Sequence, residues 1–506
     1  MVLKNLLVLV ASAAALEKHH HHHPVTCDVA VVGGGPGGTY LSARLALDSP
    51  TTPKVCMFER GSRVGGRIHS LRGQGPAKDL VVEAGAYRFV LNRTCADIEG
   101  WSWCLSTPLT RGIVEDYLEL NWTRYNPDAT AWDHELAKIT DADGADAGFL
   151  TFVEDLLARA ESSGRFEVYF GHEVTSLAKV DGGYALNFAD GSTALAKQVA
   201  LNLPQTPLLR VLAKSAIAET AADVPDVVHS MLAFPLLKLY VHYDDAWWRN
   251  ILGLKSGPFN NSDAWSWKDD PSPMAQDDCL AARQLPFVLQ GSYHDGDVRC
   301  DADGARCRGF IQAAYMGDVQ AVRLYQQFHF AENGDSVAHL DAANPHDDKL
   351  LRQVHEALVA YHAPMMDEAA LQKVRGLSPN MGVLSIWDQT AAGFGAACHM
   401  PKALAKDGAG VAPEKIPSTA MRPFGPNEDI FLANEAYGTV ECFAEGSLVM
   451  AENVAAALGV PPPTWIDPAI YDQDIRFNAS VAHPSGRAKG ASHPRGDLAF
   501  IEALAK

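Results

Sequence analysis

Cys27-Asp28-Val29-Ala30-Val31-Val32-Gly33-Gly34-Gly35-Pro36-Gly37-Gly38-Thr39 is the stretch whose reading decides the fold. Cys27 to Val32 is mostly apolar and β-branched, as a buried strand requires. Thr39 to Leu47 then shows helical spacing, and Lys54 to Phe58 reads as a second strand, so the whole is one βαβ unit. Gly33-x-Gly35-x-x-Gly38 falls between strand and helix, the context in which this pattern points to a dinucleotide. Gly33 permits the tight turn, Gly35 lets the backbone approach a pyrophosphate, and Gly38 lets helix and strand pack closely. Phosphate would rest among Gly37, Gly38 and the free N–H groups of the helix N-terminus, where the helix dipole favours an anion. Pro36 suits a first-turn position that needs no N–H partner. Glu59 ends the second strand at about the ~20-residue distance expected of a carboxylate that accepts ribose hydroxyl hydrogen bonds.

Outward from this motif, a chain of 506 residues allows roughly two to four domains. An apolar share of 47% and a charged share of 20% fit a globular protein. The formal charge of -19 and the absence of Lys/Arg runs argue against nucleic acid as a partner. Lys4, the apolar run Leu6 to Val10 and the small residues Ala11 to Ala15 read as a secretory signal peptide over residues 1–17. That run is too short to span a bilayer, and no later stretch of ~20 apolar residues exists, so a secreted protein without membrane anchor is expected. His19 to His23 read as an adventitious metal binder or a purification tag, and no catalytic metal is expected. Among nine cysteines, Cys95 with Cys104 and Cys300 with Cys307 are candidate disulfides or, equally, buried thiols. Asn92, Asn121, Asn260 and Asn478 open glycosylation sequons.

The pattern along the chain divides the nucleotide-binding domain into three parts, residues 25–92, 166–235 and 424–465. A Trp-rich, acidic insertion at 93–165, expected to be helical, separates the first two and ends in a helix over Gly148 to Ala160. Tyr184 to Phe188 and Thr193 to Leu203 flank turn residues as a hairpin would. Leu237 to Tyr243 alternates, placing Lys238, Tyr240 and His242 on one face, and opens a second domain, 236–423. Within it Asp347 and Asp348 read as capping residues of a helix over Leu350 to Tyr361. Ala391 to Ala397 and Asp407 to Val411 read as loops. Asp429 to Ala433 is a strand, Glu445 to Leu458 a helix, and 466–506 a C-terminal tail.

Beyond Glu59 the chain reads Glu59-Arg60-Gly61-Ser62-Arg63-Val64-Gly65-Gly66-Arg67. A glycine doublet among arginines offers a second close backbone approach and charge-assisted donors for phosphate. These spacings resemble the flavin amine oxidase superfamily, and further matches cover most of the chain. Val174 stands where that family places a valine against adenine, Asn434-Glu435-Ala436-Tyr437 resembles its Gly-Glu-x-Tyr segment, and Cys442-Phe443-Ala444-Glu445-Gly446-Ser447 resembles its Gly-Trp-x-Glu-Gly-Ala segment. Cys442 and Phe443 replace the glycine and tryptophan, on a wall of the substrate cavity. The resemblance implies an α/β fold, an FAD-binding Rossmann-like domain of the glutathione-reductase type with a mixed-sheet substrate domain and a helical insertion. Gly85, Ala86, Tyr87, Arg88, Ala444 and Ser447 would join the residues around FAD.

Two residues place the chain within that resemblance. Lys238, followed ten positions later by Trp248, resembles the family's lysine that holds a water against the flavin, although a solvated strand lysine is the commoner fate. Gly85-Ala86-Tyr87-Arg88 resembles the Gly-Ala-Met-Arg motif of amino-acid oxidases, whose arginine clamps the substrate carboxylate, a task suited to a planar fork. Tyr240, Tyr315 and Tyr361 are all conceivable cavity tyrosines, and His399 reads as structural. The expected function is oxidative deamination of L-amino acids to 2-oxo acids, with an amino acid and dioxygen as small-molecule partners, ammonia and hydrogen peroxide as products, and a homodimer possible. An amine or polyamine oxidase of the same fold, or a secreted binding or defence protein that keeps the fold without useful catalysis, are the alternatives.

Overall fold

The computed structural model describes residues 24–477 apart from 76, 99–100, 126–134, 218–223, 262–288, 305, 318, 330–334, 389–394 and 403–409. The leader, the histidine run and Asn478 lie outside the described residues, as does most of each expected loop near 391–397 and 407–411.

β1 (Val25–Val32), α1 (Pro36–Asp48) and β2 (Val55–Glu59) form the expected βαβ unit, with Val29 opposite Val55 and Val32 opposite Phe58 in parallel register. α1 starts at Pro36, which fixes φ without losing a needed hydrogen bond. It stops at Asp48 because Ser49, preceding Pro50, is held extended. β3 (Phe166–Phe170) adds parallel to β2. β4 (Val174–Val180), β5 (Gly183–Phe188) and β6 (Thr193–Leu201) make an antiparallel meander whose last strand lies parallel to β1, so the expected hairpin is present.

A second sheet, antiparallel in all its pairings among the described residues, carries the other large core. Its centre is β7 (Leu236–Tyr243), flanked antiparallel by β8 (Cys307–Met316) and β9 (Met381–Trp387), and α2 (Pro345–His362) covers it. The alternation in β7 does not separate a wet face from a dry one, because both faces are covered and Lys238 is 1% exposed. α2 begins earlier than its apolar run: Asn344 caps it by accepting from the His346 N–H, while Asp347 and Asp348 sit in the first turn and complement the dipole. The insertion at 93–165 is not purely helical. It holds the hairpin Thr94–Ile98 with Trp101–Leu105 and the strands Trp122–Arg124 and Leu136–Ile139, besides the helices Pro108–Gly112 and Thr151–Ser162.

The chain then returns through β10 (Cys398–Pro401) to β11 (Ile430–Leu432), which pairs parallel with the end of β6, and to α3 (Ala444–Ala457), which packs on α1. β1, β2, β6 and β11 therefore present their carboxyl ends along one line, where open α/β sheets bind ligands.

Disulfides join Cys27 to Cys56, Cys300 to Cys307 and Cys398 to Cys442. Cys104 is also disulfide-bonded and stands opposite Cys95, whose side chain lies outside the described residues. The first and third pairs escaped the sequence reading because their partners are 29 and 44 residues apart.

α1 and α3 meet through a buried polar knot. The Glu452 carboxylate accepts from Tyr40 Oη at 2.8 Å, Arg44 Nε at 3.0 Å and Tyr471 Oη at 3.2 Å. Removing one partner of such a group strands a buried charge. Glu452→Ala is expected to lower unfolding free energy by about 3–5 kcal/mol, read by denaturant titration; a loss near zero would show that Asp48 and the Pro461 carbonyl suffice for Arg44.

Candidate active site

The groove at the strand ends is shaped first by missing side chains. Gly33 has φ +99°, and a Cβ there would lie 2.6 Å from the Asn202 carbonyl oxygen; a Cβ on Gly38 would lie 2.0 Å from the Gly33 carbonyl oxygen. Only glycine lets the turn, α1 and β6 approach so closely. Gly35 is the N-cap of α1 and offers no side chain to it, and Gly33, Gly35 and Pro36 line the groove where the helix starts, whereas Gly37 and Gly38 do not. Gly37 donates instead to Ser447 Oγ at 3.1 Å, tying the turn to the first turn of α3.

Glu59 lines the groove and accepts the Gly34 and Gly61 N–H groups at 2.8 and 2.7 Å. These bonds orient the carboxylate and leave lone pairs for a ligand hydroxyl. Arg60, His172 and Val174 line the same end. Arg63 does not. It turns back on its own loop, donating to the carbonyls of Val64, Gly66 and Ile68, and so holds the glycine doublet in shape. The Gly65 N–H reaches the Gly34 carbonyl at 2.8 Å, which brings the doublet onto the first glycine cluster.

At the opposite end lie Gly66, Arg67, Ala86, Ala397, Glu435, Cys442, Phe443, Ala444 and Ser447. Arg67 Nη1 donates to Glu435 Oε2 at 2.8 Å and to the Ala397 carbonyl at 2.7 Å. Glu435 Oε2 also meets His399 Nδ1 at 3.2 Å, and its Oε1 accepts the Cys442 N–H at 3.0 Å. Burial alone would raise this carboxyl, but Arg67, His399 and that N–H hold it down at about 2. Burial lowers His399, whose Nε2 is buried without a hydrogen-bond partner, so this histidine is only half satisfied. α3 begins at Ala444 with no side-chain cap, and a second helix N-terminus thus opens on the groove. Gly85 is locked against Arg67, since a Cβ would lie 2.0 Å from the Arg67 carbonyl oxygen.

Beyond Ala86 the chain enters a buried polar and aromatic cluster. Lys238 Nζ donates to the carbonyls of Gly85 at 2.6 Å and Glu83 at 3.1 Å and lies 3.5 Å above the Tyr87 ring. Burial lowers its pKa against the pull of Glu83 and Asp295; burial likewise raises the pKa of Glu83. Arg88 is 8% exposed, stacks 4.6 Å over Tyr87 and interacts with Tyr315 and Asp295, which keep it charged despite its burial. Tyr87 Oη lies 3.4 Å from Asp295, and Tyr125 and Tyr315 pack edge-on to the Tyr87 ring. Tyr315 and Tyr240 belong to this neighbourhood, whereas Tyr361 packs against Phe259 and His362 in the second core. Trp248 is also a core residue, edge-on to Tyr243. Tyr125 and Asp295 carry no motif and were not singled out in the sequence. Among the described residues no group of His, Cys, Asp or Glu is arranged to hold a metal ion, and no helix is long and apolar enough to cross a membrane.

Residues 31–95 match the profile of the NAD(P)-binding Rossmann-like domain. No curated protein matches the sequence. Among solved structures the chain is similar to a triple mutant of putrescine oxidase from a redesign of cofactor binding, with a TM-score of 0.50, 12% identity and coverage of 86% of this chain and 99% of that one. Wild-type putrescine oxidase bound to putrescine superposes with a TM-score of 0.48 at 12% identity, covering 87% of this chain and 100% of that one. At this identity the likeness is one of fold: a Rossmann-like domain joined to a mixed α/β body.

Gly38→Ala would drive a Cβ into the Gly33 carbonyl. It is expected to cost about 1–3 kcal/mol or more in stability and to abolish dinucleotide retention, read by thermal melting and by absorbance of the supernatant after denaturation.

Proposed function

We propose that the protein is an FAD-dependent oxidase that deaminates L-amino acids. A Rossmann-like fold with Glu59 beyond its glycine turn supports a dinucleotide. The Gly65-Gly66 doublet, Arg67 and the second helix N-terminus at Ala444 extend the groove for a longer ligand. The glycine cradle fits such an occupant. The three strand segments 25–92, 166–235 and 424–465 form the cofactor domain in this reading, and 236–423 the substrate domain.

The observation that carries the substrate assignment is the buried guanidinium of Arg88 against Tyr87. Arg88 keeps its charge inside a buried aromatic cluster that also holds Lys238 and Asp295, and its fork is the group there suited to a substrate carboxylate. When bound, FAD supplies the two-electron oxidation of a C–N bond and the return of those electrons to dioxygen. Arg88 would hold the carboxylate through its planar fork and so fix the α-carbon relative to the groove. The rings of Tyr87, Tyr125 and Tyr315 exclude water from that contact. Neutral Lys238 spends both its N–H groups on backbone carbonyls and keeps its lone pair to accept from a water molecule. The three bridges at Cys27–Cys56, Cys300–Cys307 and Cys398–Cys442 suit an oxidising compartment, in line with export.

One feature favours an amine oxidase instead: Asp295 Oδ1 is buried with no hydrogen-bond partner and could accept a substrate ammonium. A peroxide assay comparing L-leucine with its decarboxylated amine separates the two. Turnover of the amino acid alone is expected, and equal or better turnover of the amine overturns the carboxylate clamp. Arg88→Ala should raise KM for amino acids by about 100-fold and leave KM for amines within a few-fold.

Burial favours neutral Lys238 in the folded state. From its lowered pKa up to about 10.4 the unfolded chain binds the extra proton, so this group makes stability rise with pH in that window. Glu83 acts oppositely from about 4.3 up to its raised pKa, where the folded state holds the extra proton and stability falls as pH rises. Lys238→Met is expected to flatten the alkaline slope of unfolding free energy and to remove the same titration from the rate of reoxidation by dioxygen. An unchanged pH profile in the variant would show that another group titrates.

A further inference from the structure

Cys442 stands where the resemblance places a glycine, and its backbone takes a conformation that favours glycine. Its φ is +65°, in the left-handed region that L-residues rarely adopt. Two contacts hold it there. Its N–H donates to Glu435 Oε1 at 3.0 Å, and its sulfur is bonded to Cys398, the Cα atoms lying 4.7 Å apart. Cys398 precedes His399, which meets the other oxygen of Glu435, and follows Ala397, whose carbonyl accepts from Arg67. The bridge therefore ties together both sides of the cluster formed by Arg67, His399 and Glu435. It lies at the groove itself, because Cys442 is half-buried and lines it next to Phe443 and the start of α3.

We propose that the Cys398–Cys442 disulfide is a thiol-addressable clamp on the cofactor groove, a positioning device that a dithiol reductant opens. The proposal rests on the reading that the groove holds FAD. A thiolate of the dithiol attacks one cysteine sulfur, the Cys398–Cys442 bond breaks and a mixed disulfide forms. The second thiol of the reductant then displaces the remaining cysteine. Two electrons and two protons end on Cys398 and Cys442, and the reductant leaves as a cyclic disulfide. Released from the bridge, Cys442 relaxes to negative φ, its N–H leaves Glu435, and the wall carrying Phe443 and the α3 N-terminus loosens.

The test uses the full oxidised chain as purified, with two readouts: release of FAD followed by flavin fluorescence, and amide hydrogen exchange over residues 434–446. Dithiothreitol is expected to speed FAD release at least tenfold and to raise exchange in that segment at temperatures where the protein stays folded. The double variant Cys398→Ser with Cys442→Ser should behave like the reduced parent without any reductant. Cys398→Ser with Cys442→Gly should be rescued, releasing FAD slowly and ignoring dithiothreitol, because glycine reaches φ +65° without a bridge. Both variants keep Cys27–Cys56 and Cys300–Cys307, so their difference isolates this pair. A Ser/Ser protein as tight as the oxidised parent, or a Ser/Gly protein as loose as Ser/Ser, overturns the clamp. Absence of FAD from the untreated parent would sink the oxidase reading, and the exchange comparison alone would then decide the clamp.

Discussion

Everything at the groove depends on one steric constraint, the contact of α1 with the turn that follows β1. Because Gly38 lacks a Cβ, the helix axis drops onto the Gly33 carbonyl, and because Gly33 takes a left-handed φ the turn clears Asn202 at the end of β6. That approach puts Gly37 within reach of Ser447 and so sets where α3 begins. Two helix N-termini then converge on the same space, and their combined dipoles make it a place for negative charge. A single methyl group would separate these elements.

Desolvation governs the second half of the site. Arg67 and Glu435 are held by mutual attraction and by donors from three parts of the chain, so the carboxylate stays ionised though buried. Lys238 has no carboxylate at hydrogen-bond distance and relies on backbone carbonyls, so the same burial drives it towards neutrality. Arg88 keeps its charge because guanidinium is intrinsically the stronger base and lies against Tyr87, Tyr315 and Asp295. Lys238 and Arg88, two buried bases on one ring, thus differ in protonation for identifiable local reasons.

The βαβ unit, the hairpin of β5 with β6 and the return through α3 were legible because their signals are local: glycine spacing, apolar periodicity and turn residues. Glu59, Arg67, Val174 and Glu435 were legible through motif spacing, and the structure gathers them along one groove. Arg63 was misread as a phosphate donor because a sequence cannot show whether an arginine faces a ligand or its own loop. The alternation of β7 divided its residues between two faces, but a strand covered on both sides by other segments leaves no trace of that in its own residues. Asp347 and Asp348 read as caps since acids favour helix starts, yet Asn344 before Pro345 is the better cap and lay outside the apolar run. Tyr125 and Asp295 could not be found at all, because proximity to Arg88 arises only when the insertion and the second sheet close over the first domain.

The knot between α1 and α3 has a consequence for synthesis. Arg44 and Glu452 are 408 residues apart, and translation at about 5–20 residues per second leaves α1 waiting roughly 20–80 s for its partner. During that interval a helix with a charged arginine facing an unbuilt interior is exposed beside the apolar β1–β2 pair. The nascent chain must be shielded, or must complete the intervening sheet first as an independent unit, before the nucleotide domain can close around it.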